Sequence, residues 1–129
     1  MTQLRKWAGM ALPKNKKAEF TIRIVNRQES RQLNHKYRHK NQPTNILSFP
    51  LTDFTSNFIG DLVICAPLVK QEAHQQQKPL LAHWAHLIIH GVLHLLGYDH
   101  DTEKNAKLME TKETRILKKL NFTNPYVNK

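Results

Sequence analysis

His90-Gly91-Val92-Leu93-His94-Leu95-Leu96-Gly97-Tyr98-Asp99-His100 is the stretch whose spacing decides how this chain is read. His90 and His94 are four residues apart, so on a helix their rings leave one face with Cβ atoms about 6 Å apart. Two imidazole nitrogens so placed reach a shared ion at about 2.0–2.1 Å each. Gly97 falls where a helix can end in the left-handed conformation that costs glycine nothing. The chain then turns, and His100 returns over the same face. Three neutral imidazoles and a water form an open tetrahedral site, the arrangement of catalytic zinc. A lone histidine pair on an apolar helix is more often packing than ligation. Here Leu87, Ile88, Ile89, Val92, Leu93, Leu95 and Leu96 embed the rings in a segment that reads as buried. Buried imidazoles need a partner, and a metal supplies one.

What the run lacks narrows the chemistry. Proteases of the H-E-x-x-H type carry a glutamate directly after the first histidine, and it deprotonates the attacking water. Gly91 stands at that position and offers no base. A zinc peptidase is therefore the weaker enzyme reading, and activation of water falls to the ion, which draws the pKa of bound water towards neutrality.

At 129 residues the chain reads as one domain over 1–129, with a single core. It is 40% hydrophobic, and the absence of a long apolar run predicts a soluble protein. Met1 leads into Thr2-Gln3-Leu4-Arg5-Lys6 without an apolar stretch of signal-peptide type. The single cysteine, Cys65, has no partner within the chain; a reducing, cytoplasmic setting and a buried, inert thiol are expected. The formal net charge is +10, which favours a polyanionic partner. The charge gathers at Lys14, Lys16 and Lys17, at Arg31, Lys36, Arg38 and Lys40, and at Lys118 and Lys119. A generally basic, solvated surface is the plain alternative.

The order of elements predicts an α+β fold, a mixed β-sheet packed with helices. Leu4 to Leu12 reads as a short helix closed by Pro13, and Phe20 to Val25 alternates as a strand. Asn26 with Glu29 makes a capping start for a helix to about Tyr37, with Leu33 and Tyr37 towards the core. Asn45 to Phe49 forms a second strand, 53–58 a loop, and Ile59 to Cys65 a third strand, nearly continuous in apolar character. Pro67 opens a helix to about Gln77. The metal helix follows from about Leu80 to Leu96, and a charged helix from about Thr102 to Leu120 carries a stripe of Ala106, Met109, Ile116 and Leu120.

The run H-G-x-L-H-L-x-G-Y-D-H resembles the signature of the YbeY family of bacterial metal-dependent single-strand endoribonucleases. Three blocks carry the likeness further: Leu33-Asn34 with Tyr37-Arg38, then Pro43 through Pro50, then Gly60-Asp61-Leu62-Val63-Ile64. It continues through Met109-Glu110 and Glu113 and spans roughly residues 19–126. Family members usually open with an additional N-terminal strand, whereas this chain starts near its first helix.

The resemblance implies a zinc-dependent endoribonuclease in which His90, His94 and His100 hold one ion, although three imidazoles also suit nickel, cobalt or copper. It further implies that Arg38 and His90 are catalytic and that a metal-bound hydroxide attacks the phosphodiester. Arg38 matches the arginine of the family's catalytic cleft, where a guanidinium grips phosphate bidentately; by sequence alone it would be one member of a solvated basic run. Lys36 and Lys40, in the same basic run as Arg38, are candidate RNA contacts, as are the turn and strand-edge residues Thr44, Asn45 and Ser48. The implied role is ribosomal RNA maturation at the 3′ end of the small-subunit RNA and ribosome quality control. The small subunit, ribosomal proteins or a GTPase are the implied partners. Asp61 reads as structural, Asp99 equally as an orienter of imidazole or a turn cap. His83 and His86 line the cleft or pack with Trp84, and Glu110 and Glu113 pair with basic helix faces. A ribosome-associated binding module with structural zinc remains the non-enzymatic alternative.

Overall fold

The structure is a computed structural model and describes residues 2–13, 18–51, 57–123 and 125. The cluster of Lys14, Lys16 and Lys17 and most of the loop expected at 53–58 lie outside these residues. The elements run α1 (Thr2–Ala11), β1 (Glu19–Val25), α2 (Arg27–Arg38), β2 (Ile46–Pro50), β3 (Phe58–Cys65), α3 (Ala66–Gln75), α4 (Leu80–Leu95) and α5 (Glu103–Lys119).

The sheet has the order β1-β3-β2, with β1 parallel and β2 antiparallel to the central β3. A strand covered on both faces has little polar side to show, which explains the nearly continuous apolar run of β3, broken at Asp61. Leu62 and Ile64 enter the main core with α4, while Val63 and Cys65 pack on the opposite face with Val25, Leu47, Leu33 and Leu68. The fold is thus a single α+β domain with helices on both sides of a small mixed sheet.

α4 is apolar around most of its circumference, the pattern of a helix surrounded by protein. Ala85, Leu87, Ile88, Ile89, Val92, Leu93 and Leu95 are all buried, with Trp7 and Ala8 of α1 and Met109, Ile116 and Leu117 of α5 against them. Gly91 faces the sheet at close range. A Cβ there would sit 2.8 Å from both Ile46 Cδ1 and Leu62 Cδ2. The position taken by a catalytic glutamate in zinc proteases is here filled by the sheet's own side chains.

Caps fall where the sequence puts them. Asn26 Oδ1 accepts the Glu29 N–H at 2.9 Å, Thr102 Oγ1 accepts that of Asn105 at 3.0 Å, and Pro67 lies in the first turn of α3. Two expectations fail. Tyr37 does not face the core: it is 53% exposed and meets Phe49 edge-on, because the inward stripe of α2 is held by Ser30 and Asn34. Phe58, expected in a loop, starts β3. Among the described residues, no helix is long and apolar enough to cross a membrane.

Candidate metal centre and its cleft

α4 supplies two of the three histidines, and the turn after it supplies the third. Gly97, at φ 102°, closes the helix; its N–H bonds to the His94 carbonyl and that of Tyr98 to the Leu93 carbonyl, both at 3.0 Å. That pair of bonds is the Schellman stop. Tyr98 is then gripped by Lys112 of α5, whose Nζ donates to its hydroxyl at 2.8 Å. The start of the turn is fixed, and the His100 ring lies 5.0 Å from that of His94 and 5.6 Å from that of His90, centre to centre.

The Nε2 atoms of His90 and His94 are 3.1 Å apart, and one nitrogen from each of His90, His94 and His100 lies within 4.8 Å of the others. Which nitrogen of His90 carries the proton is settled by Glu113. This carboxylate is fully buried and accepts from His90 Nδ1. A carboxylate only accepts, so Nδ1 bears the hydrogen and the Nε2 lone pair is left towards His94 and His100. The opposite oxygen of Glu113 lies 3.1 Å from His86 Nε2. Burial, and after it the neighbouring His90 and His100, holds the His94 imidazole below its usual pKa, which favours the neutral form that binds metal. This donor set, with the tautomer fixed from behind and one side open to solvent, fits a divalent transition metal.

Glu113 therefore does not pair with a basic helix face, as the sequence suggested. It sits in the inward stripe of α5 among Met109, Ile116 and Leu117. The signal was available: its four-residue spacing from Met109 puts an acid on the buried face. His86 is not merely packed in the cleft wall; it shares that carboxylate with His90. His83 is also buried, bonded through Nε2 to Glu72 at 2.9 Å. No local pattern in the sequence marks Glu72.

A cleft of about 420 Å³ opens over the histidines, lined by Arg38, Thr44, Asn45, Ile46, Leu47, Ser48, His90, His94, Asp99 and His100. Arg38 is the last residue of α2. The following chain is tied back to α2 by two buried side chains. Ser30 Oγ bonds both the carbonyl and the N–H of Thr44, at 2.8 and 2.9 Å, and Asn34 Nδ2 donates to the Gln42 carbonyl at 2.8 Å. Arg38 and Asn45 thus meet the histidines across one opening. Lys36 is exposed, its ammonium 5.2 Å from the centre of the Tyr37 ring, and Lys40 is exposed; neither lines the cleft. Asp99 Oδ1 accepts the His100 N–H at 2.7 Å and so caps the turn; its 3.5 Å separation from His100 Nδ1 is too long to orient the ring by a hydrogen bond. Asp61 is structural, accepting from Thr21 across the β1–β3 pair.

A family model described as Endoribonuclease YbeY matches residues 1–121. The chain is 53% identical over 123 residues to the Endoribonuclease YbeY of Nitrosomonas eutropha, an overlap of 95% of this chain and 85% of that protein. It is also similar to the solution structure of TM1509 from Thermotoga maritima, with a TM-score of 0.57 and 20% identity over 98% of this chain and 88% of the other. At that identity the likeness is one of fold.

Proposed function

Because the chain belongs to the YbeY endoribonuclease family, we propose that it is a metal-dependent endoribonuclease whose cleft takes single-stranded RNA. The observation that carries the reading is the meeting of three imidazoles, one held in its ligand tautomer by Glu113, with Arg38 across the same opening. The ion proposed is zinc, held by His90, His94 and His100, as suits three imidazoles with an open position. Held there, a divalent ion supplies Lewis acidity, making water acidic near neutral pH and withdrawing charge from a phosphate oxygen.

The chain's own residues do the rest. Arg38 grips two non-bridging oxygens of the scissile phosphate and meets the charge that builds there in the transition state. His90 is kept rigid by Glu113, so the site is already in place before RNA arrives. The net charge of +10 draws the polyanion to the surface. Asn45 touches the nucleotide, with Lys36 and Lys40 giving outlying phosphate contacts. The proposed setting is the cytoplasm and maturation of ribosomal RNA at the 3′ end of the small-subunit RNA, with ribosome quality control and ribosomal proteins or a GTPase as partners. The test is incubation of purified, metal-analysed protein with labelled single-stranded RNA, duplex RNA and casein. Cutting of single-stranded RNA is expected; cutting of casein alone would overturn the reading in favour of a peptidase.

A further inference from the structure

One polar network beside the cleft is not needed to hold a metal. Glu72 lies in the last turn of α3, where the helix dipole disfavours a carboxylate, and it flanks an opening proposed for a polyanion. It takes two donors. His83 Nε2 lies 2.9 Å from Oε1, and Asn45 Nδ2 lies 3.1 and 3.4 Å from the two carboxylate oxygens. The acceptor-only carboxylate settles both side chains. The Asn45 amide turns its NH2 to Glu72, leaving Oδ1 as the end not engaged by it. His83 carries its proton on Nε2, and its bare Nδ1 is buried without a hydrogen-bond partner among the described residues. The backbone of Asn45 is fixed separately, its carbonyl accepting the Cys65 N–H at 2.9 Å. What Glu72 and His83 add is therefore the orientation of one amide that lines the cleft.

We propose that Asn45, clamped by Glu72 with buried His83 behind it, presents Oδ1 to a hydrogen-bond donor of the bound nucleotide and so selects the nucleic acid accepted. The donor is a ribose 2′-hydroxyl or an exocyclic base amine; both offer the hydrogen that an oxygen acceptor reads. This deepens the RNA reading above and rests on it. Asn45 is the contact; Glu72 and His83 are positioning residues.

The experiment uses the whole protein and a single-stranded oligoribonucleotide, with two substituted sets. One set replaces a single ribose by 2′-deoxyribose at each position in turn. The other replaces a single guanine by hypoxanthine or a single adenine by purine. Cleavage (kcat/KM) is measured with metal, and binding by fluorescence anisotropy with EDTA. Wild-type protein is expected to lose about tenfold at one position of one set, the worth of a single hydrogen bond, and that set identifies the donor. Asn45→Ala is expected to be insensitive at that position. Glu72→Gln, whose amide lets Asn45 turn over, and His83→Phe are expected to weaken the sensitivity, while His83→Gln, which keeps a donor, restores it. Equal sensitivity in Asn45→Ala and wild type would overturn the proposal. So would variants that only lower Tm and slow every oligonucleotide alike. Protein that binds with this single-position sensitivity yet cuts nothing sinks the nuclease reading and keeps this one; protein that cuts with no Asn45-dependent position does the reverse.

Discussion

The Nδ1–H of His90 is taken by the buried carboxylate of Glu113, from a helix that begins only after the histidine run has ended. The contact decides which ring nitrogen looks into the cleft, and it couples the ion's site to the packing of α5 on α4. An acid at the centre of an apolar stripe is costly unless its oxygens are engaged, and here His86 and His90 engage both.

Glu113→Gln is expected to lower zinc affinity by about 10–100-fold, the usual effect of disturbing the group behind a ligating histidine. An amide has one acceptor oxygen, so it cannot serve His86 and His90 as the carboxylate does. Competition with a chromophoric chelator reads the change. Unaltered affinity would mean that Glu113 only fills space.

His94→Ala is expected to remove most bound metal and lower Tm, since binding to the folded state adds to folding. RNA cleavage is expected to fall further than RNA binding, which basic side chains dominate. Stoichiometric zinc in this variant would refute the ligand set.

Arg38→Ala is expected to keep zinc and fold, because the side chain is exposed at the end of α2 and is no ligand. Turnover is expected to drop by about 10²–10³, with Arg38→Lys recovering part, as an ammonium lacks the two-point grip. The salt slope of binding falls by about one unit. Single-turnover rates beside binding at two salt concentrations decide it: a rate that does not change removes Arg38 from the mechanism.

Gly91→Ala is expected to destabilise by about 1–3 kcal/mol through overpacking, since its Cβ would press on Ile46 and on Leu62, which is fully buried. Gly91→Glu, which writes the protease motif, is expected to cost more and to yield no casein cleavage. Urea unfolding measures the first effect. A stable, proteolytic Gly91→Glu would show that the base is missing by accident and not for want of room.

Acid is expected to weaken the fold through His83. Burial is the main cause that holds its pKa below the ordinary 6.5, outweighing the hydrogen bond and charge of Glu72, with Lys78 and His86 lowering it further. The unfolded chain then binds a proton that the folded one refuses. The stability linked to this group is full above about pH 6.5 and is lost as pH falls below that value towards the folded pKa. Chelator-treated His83→Gln is expected to show a flatter fall in Tm between pH 7 and 5 than wild type; an identical profile would place the loss elsewhere.

The histidine run, the capping residues and the apolar strands were legible because each is a local pattern: ring spacing on one helix, a side-chain oxygen three residues before an N–H, continuous burial of a middle strand. The stop at Gly97 was legible for the same reason. Tyr37 and Phe58 depart from their local pattern because register and exposure depend on what a neighbouring element covers. At Glu113 charge and position conflict: the charge favours the surface, while the place in the stripe puts it inside.

By itself the sequence determined that three imidazoles would gather at the end of one buried helix, since helical pitch and one turn glycine suffice for that. Only the tertiary structure decided that Glu113 would set the tautomer of His90, that Arg38 and Asn45 would close the cleft from the far side, and that Glu72 and His83 would turn the Asn45 amide. Those partners lie 23, 27 and 11 residues apart along the chain in the bonds Glu113–His90, Asn45–Glu72 and His83–Glu72. Buried polar groups must find partners across such distances, and which partner each finds is fixed by how the helices pack on the sheet.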